Sequence, residues 1–158
     1  MRWLYKLFIL TLVLLVLVSV GVFSLSDAHL SVPFMGAQDK PSPGSWVKED
    51  QIKVYQDRIE LDIPKASWAR FTNTKSMDPV FDESAHALEI LPDDADAINI
   101  GDIISYRSSS GILVHRVVDK GSDEQGRYYI VKGDNAPLRD PFKVRFNEVK
   151  GVVVAVIY

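Results

Sequence analysis

The sequence predicts a mainly β domain carried behind one N-terminal transmembrane helix. Three observations carry that expectation: an uncharged apolar run at 7–25, a series of short period-2 segments after residue 58, and no long amphipathic helical stretch. A chain of 158 residues is one domain in length once a membrane segment is set aside.

The apolar run comes first. Nineteen residues without charge, broken only by Thr11, Ser19, Gly21 and Ser24, span about 28 Å as a helix, close to the roughly 30 Å hydrocarbon core of a bilayer. A cleaved signal peptide is the alternative, since Arg2 and Lys6 would serve as its charged start and small residues lie near Ser24 and Ser26. Its apolar core should be only about 7–15 residues, so the expectation is an uncleaved anchor. Arg2 and Lys6 precede the run while Asp27 follows it, which places the N-terminus in the cytoplasm and the remainder outside. The expected organisation is 1–26 as cytoplasmic tip and anchor, 27–50 as juxtamembrane linker, and 51–158 as the extracytoplasmic domain.

The linker carries Pro33, Pro41 and Pro43 and ends in "WVKED"; Trp46 fits either a headgroup anchor or a cover for the core edge. "RIELDI" (58–63) alternates apolar and charged residues, as a strand with one wet face does. Further strands are expected at 67–72, 87–91, 102–107, 111–118, 127–132 and 151–157, with a short helix near 78–86. "GVVVAVIY" has no polar face and should be buried on both sides, or lie against membrane or another sheet.

Composition excludes several functions. Taking the two anchor cations from the formal −3 leaves −5 on the exported part, an unfavourable balance for nucleic acid. With no cysteine there is no disulfide, thiolate zinc site or cysteine nucleophile, and His29, His86 and His115 are too scattered for a metal-binding spacing. No metal and no cofactor is expected.

The chemistry centres on "NTKSMDPVF" (73–81). Ser76 there is either a turn or cap residue or a nucleophile, and a nucleophile needs a base. Lys75 is a poor base because neighbours in an extended segment diverge and a lysine must be desolvated to accept a proton. His115 is better placed. In "GILVHRVV" (111–118) it shares a face with Leu113 and Val117, so partial burial favours neutral imidazole. His86, in a polar stretch, is a weaker second base. A base histidine needs an acceptor on its other nitrogen, and "KGDNAPLRD" (132–140) offers both Asp134 and Asp140; spacing does not choose between them.

In this order, "SMDP", "GDIISY" (101–106), "VHRVV" (114–118) and "KGDN…D" (132–140) resemble the successive boxes of type I signal peptidases, in particular the archaeal and endoplasmic-reticulum branch. The resemblance covers about 66–140 plus the anchor. It implies a coiled β-sheet domain, Ser76 as nucleophile, His115 where bacterial members use lysine, Asp140 as the third member and Asp134 as support. It further implies the Ser76 N–H and the Thr74 hydroxyl as oxyanion donors. The implied reaction is removal of signal peptides, with small residues before the cut, from exported preproteins at the outer surface of the cell membrane, or of the reticulum membrane in a eukaryote. Membrane lipid and the translocation channel are the further partners implied. "APLRD" replaces the family's doubled acidic pair, so Asp140 stands alone. Two alternatives are weighed against this reading. A self-cleaving serine–lysine peptidase would carry a DNA-binding domain, and a non-catalytic tethered module of the export machinery would not need all three triad residues.

Overall fold

The computed structural model describes residues 39–158 together with Trp3 and Lys6. The expected anchor at 7–25 and His29 lie outside the described residues. Among the described residues no helix is long and apolar enough to cross a membrane. Residues from Lys40 to Tyr158 form one compact unit, and everything below concerns it.

The unit is mainly β, and all of its strand pairs are antiparallel. Its strands are β1 (Ile52–Val54), β2 (Ile59–Leu61), β3 (Ser67–Arg70), β4 (His86–Ile90), β5 (Ile103–Ser108), β6 (Gly111–Asp123), β7 (Gly126–Lys132), β8 (Val144–Arg145) and β9 (Val149–Ile157). The first two form a separate hairpin ribbon, and the other seven make one sheet in the order β3-β4-β9-β5-β6-β7-β8. Register shifts at Leu88/Glu89, Ser105/Tyr106 and Val117/Asp119 interrupt the ladders. Such bulges increase local twist and re-aim side chains.

"GVVVAVIY" belongs to the last described strand, between β4 and β5, and its first residues are buried while Ile157 and Tyr158 are exposed. Its buried side chains reach two cores, and the irregularity opposite Ser105/Tyr106 lets Val149 and Val152 share one of them. Val149 and Val152 join Ile98, Ile104, Tyr106, Val117, Tyr129 and Val131 in one. Val153 joins Met77, Phe81, Ala85, Ala87 and Ile103 in the other.

The expected strands at 58–63, 67–72, 87–91, 102–107, 111–118, 127–132 and 151–157 all form, with shifted ends. The strands β1 and β8 were not expected; each is only two or three residues long, too short for a period to show. The helix near 78–86 does not form. Those residues make turns, with Val80 N–H donating to Met77 O at 2.8 Å and Ala85 N–H to Asp82 O at 3.2 Å. Pro79 brings no N–H, and the Asp82 carboxylate takes the Ser84 N–H at 2.9 Å, so local side-chain bonds displace helical ones.

Residues 40–46, expected within the linker, are tied to the domain. The fully buried Asp102 carboxylate accepts from Gly44 N–H at 2.7 Å, Trp46 Nε1–H at 3.0 Å and Asn99 N–H at 2.8 Å. Trp46 packs on the larger core, so it covers a core edge. Gly101, at φ +103, is the residue beneath this strap; a Cβ there would overlap the Ser42 carbonyl.

Candidate active site

Antiparallel pairing of β5 with β6 sets Ile104 opposite His115 and Tyr106 opposite Leu113. Leu113 and Val117 both belong to the larger core, so His115 shares their face, as the alternation predicts. His115 is 9% exposed.

Its two ring nitrogens meet different surroundings. Nδ1 lies 3.0 Å from Asp140 Oδ2 and 3.1 Å from the Tyr106 hydroxyl. The Tyr106 hydroxyl donates its own proton to the same Asp140 oxygen in a short hydrogen bond. Burial, first, and then the Asp140 bond and charge push the Tyr106 phenol far above its ordinary range, so it stays a donor. With that proton committed to Asp140, both groups facing Nδ1 are acceptors. Nδ1 therefore carries the imidazole hydrogen and Nε2 keeps its lone pair.

Gly133 lies beside both His115 Nε2 and Ser76, and all three line or border one cleft. A Cβ added at Gly133 would stand 3.2 Å from His115 Nε2 and 3.2 Å from Ser76 Cβ, so those two atoms are no farther apart than twice that distance. The same Cβ would come within 2.7 Å of the Ser76 carbonyl. Only a residue without a side chain leaves this gap open.

Ser76 is held from both sides. Its carbonyl accepts from Asn135 N–H at 2.8 Å, and the Lys75 carbonyl accepts from Asn135 Nδ2 at 3.0 Å. The "GDN" turn thus pins the serine turn to the end of β7. Beneath it, Met77 is buried in the smaller core. Lys75 has φ +56 and an exposed side chain. The Thr74 hydroxyl lies 3.1 Å from Ser76 Oγ and accepts from the Ser76 N–H at 3.4 Å, so the two expected oxyanion donors stand side by side.

The two aspartates of "KGDNAPLRD" separate. Asp140 N–H donates to Val131 O at 2.9 Å, which brings its carboxylate to His115. Asp134 instead forms a two-pronged ion pair with Arg116, at 2.9 Å from Nε and 2.7 Å from Nη2, with both side chains buried. Arg116 Nη1 then donates to the Gly101 carbonyl at 2.8 Å and the Pro41 carbonyl at 3.1 Å. Asp134 thereby joins the "GDN" turn to β6 and to the N-terminal strap. His86 lies elsewhere: its ring stacks on Trp68, centroids 5.3 Å apart, outside the cleft.

A cleft of about 470 Å³ opens over Ser76 and His115, with Phe71, Met77, Ile112 and Val114 among its apolar walls. Two contributors escaped sequence reasoning. Tyr106 shows no motif of its own beyond a tyrosine on an inward strand position, whose hydroxyl must find a partner when buried. Gly133 reads as an ordinary turn glycine. Among the described residues no cluster of His, Asp or Glu has the arrangement of a metal site.

Comparison with known proteins adds little to the geometry. No family model matches the chain, and no solved structure matches it. An uncharacterized protein of the archaeon Methanocaldococcus jannaschii is 33% identical over 75 residues, a match that covers 48% of this chain and 37% of that protein.

Proposed function

We propose that this chain is a membrane-anchored serine endopeptidase that removes signal peptides from exported preproteins. The observation that carries the peptidase reading is His115, with a carboxylate on Nδ1 and both its Nε2 and Ser76 against Gly133. The signal-peptide substrate rests on the ordered motif resemblance and the apolar run at 7–25.

The chemistry follows from the residues in place. His115 Nε2 takes the Ser76 hydroxyl proton as Oγ attacks the scissile carbonyl. Asp140 and Tyr106 hold the imidazole in its working tautomer, and the Asp140 carboxylate stabilises the imidazolium that forms. Charge develops on the carbonyl oxygen, where the Ser76 N–H and Thr74 hydroxyl would donate to it. The imidazolium returns its proton to the leaving amine, and water, deprotonated by His115, releases the acyl group. A positioned base is worth about 10²–10⁴ in rate and one oxyanion donor about 10²–10³. The anchor would hold enzyme and substrate in one plane, with the N-terminus cytoplasmic and the catalytic domain extracytoplasmic, raising the effective concentration.

Cleavage of a model preprotein in membranes tests the reading. The full chain should process it, Ser76→Ala and His115→Ala should abolish processing, and Lys75→Ala should largely spare it. A dead Lys75→Ala beside an active His115→Ala would replace the histidine mechanism by a lysine one. A chain that cleaves nothing, with Ser76 unlabelled by a serine-directed acylating probe, would favour the non-catalytic module.

A further inference from the structure

The floor of the cleft holds a second polar pair that the acyl-transfer chemistry does not use. Glu89, on β4, is 5% exposed, and Ser105, on β5, is 2% exposed; both line the cleft. Their strands are not neighbours, because β9 runs between them. The pair meets across that strand at Gly151, which is the register partner of Ser105. A Cβ at Gly151 would stand 2.8 Å from Glu89 Cβ and 3.1 Å from Glu89 Oε2. With no side chain there, the Glu89 carboxylate lies over β9 and takes the Ser105 hydroxyl on Oε2 at 2.9 Å.

The other oxygen, Oε1, is buried and has no hydrogen-bond partner. A buried carboxylate oxygen left unpaired is costly, and such a group calls for an explanation. Packing does not supply one, since an apolar side chain over Gly151 would fill the same space without a polar atom. Glu89 and Ser105 both line the cleft, and the last torsion of a glutamate is broad and soft, so the carboxylate has freedom to turn in its site.

We propose that Glu89 is a specificity-determining residue, which seats a small hydroxyl side chain of the substrate peptide, serine or threonine, on the cleft floor. The hydroxyl is singled out because it both donates and accepts. It can donate to Oε1 of an ionised Glu89 and accept from Oε1–H of a protonated one. An alanine would leave the oxygen unpaired once water is expelled. Burial raises the Glu89 pKa, with the Ser105 bond opposing it.

This inference rests on the peptidase reading for the substrate's being a peptide, yet it can be tested without catalysis. The full chain carrying Ser76→Ala is titrated with two peptides spanning a cleavage site, one with alanine and one with serine at each small position before the cut. Binding of the serine peptide should be roughly tenfold tighter. Adding Glu89→Met, which keeps volume and removes the acceptor, should erase that difference while leaving alanine-peptide binding within about threefold. Glu89→Gln, which retains an acceptor oxygen, should keep part of the preference. Equal binding of the two peptides before Glu89 is changed, or a preference that survives Glu89→Met, overturns the inference. The peptidase reading stands or falls separately, on whether the chain with Ser76 intact cleaves the alanine peptide.

Discussion

Gly133→Ala probes the pairing of Ser76 with His115 more sharply than removal of either residue. The added methyl would stand 3.2 Å from His115 Nε2, 3.2 Å from Ser76 Cβ and 2.7 Å from the Ser76 carbonyl. Backbone oxygen cannot give way as a flexible side chain can, so the serine turn or β7 must shift by several tenths of an ångström. A displacement approaching 1 Å between reacting groups costs about 10²-fold in rate, equivalent to about 2.7 kcal/mol of barrier. The methyl would also press on both residues of the proposed pair. We therefore expect kcat/KM for preprotein cleavage to fall by about 10-fold to 10²-fold. Stability should fall by only about 1–3 kcal/mol, the usual cost of one extra methyl in a packed site. Thermal unfolding of the same preparation separates the two effects. A folded Gly133→Ala chain that cleaves within about threefold of the original would refute proton transfer across this gap.

Four further outcomes follow from the structure. Asp134→Ala should destabilise the domain by about 3–5 kcal/mol, because it leaves the buried Arg116 guanidinium without its carboxylate; denaturant unfolding reads this. Asp140→Asn should instead spare stability and strike kcat. Tyr106→Phe removes a donor to Asp140 and an acceptor for His115 Nδ1, so kcat should drop roughly tenfold with KM little changed; an unchanged kcat would deny Tyr106 a positioning role. For Glu89 the sign is set by a folded-state pKa raised by burial. Its protonated form is favoured in the fold, so its contribution is greatest below the ordinary glutamate value and is lost as pH rises through the raised one. Stability against pH should show this decline across that window, and Glu89→Gln should remove it; a profile unchanged by the substitution would contradict the burial argument.

Each part of the site was legible to a different degree, for physical reasons. Period-2 alternation put Leu113, His115 and Val117 on one face, and the structure keeps them there because a strand's side chains must alternate. The lack of a polar face in "GVVVAVIY" likewise announced burial on both sides, which holds for Gly151–Val153, while Ile157 and Tyr158 are exposed. The helix near 78–86 failed because the competition there is local, between helical bonds and the bonds of Asp82 and Pro79, and a coarse reading of periodicity does not weigh it. Asp134 and Asp140 looked equivalent from spacing, and the difference between them is tertiary. Arg116, on the face opposite His115, captures the first aspartate, while the turn back onto Val131 delivers the second to the imidazole.

Residue types and their order thus determined by themselves the candidate chemistry: one serine in a turn, one histidine on an apolar face, two carboxylates downstream, and no thiol. Those are properties of single strands and turns, written at separations of one to four residues. The tertiary structure alone decided which carboxylate reaches the His115 imidazole, that Tyr106 bonds to both, and that Gly133 and Gly151 leave open the space beside Ser76 and His115 and the space where Glu89 meets Ser105. Each of those contacts joins residues at least nine apart in the chain, brought together by strand order and bulges, and no local pattern encodes such a meeting.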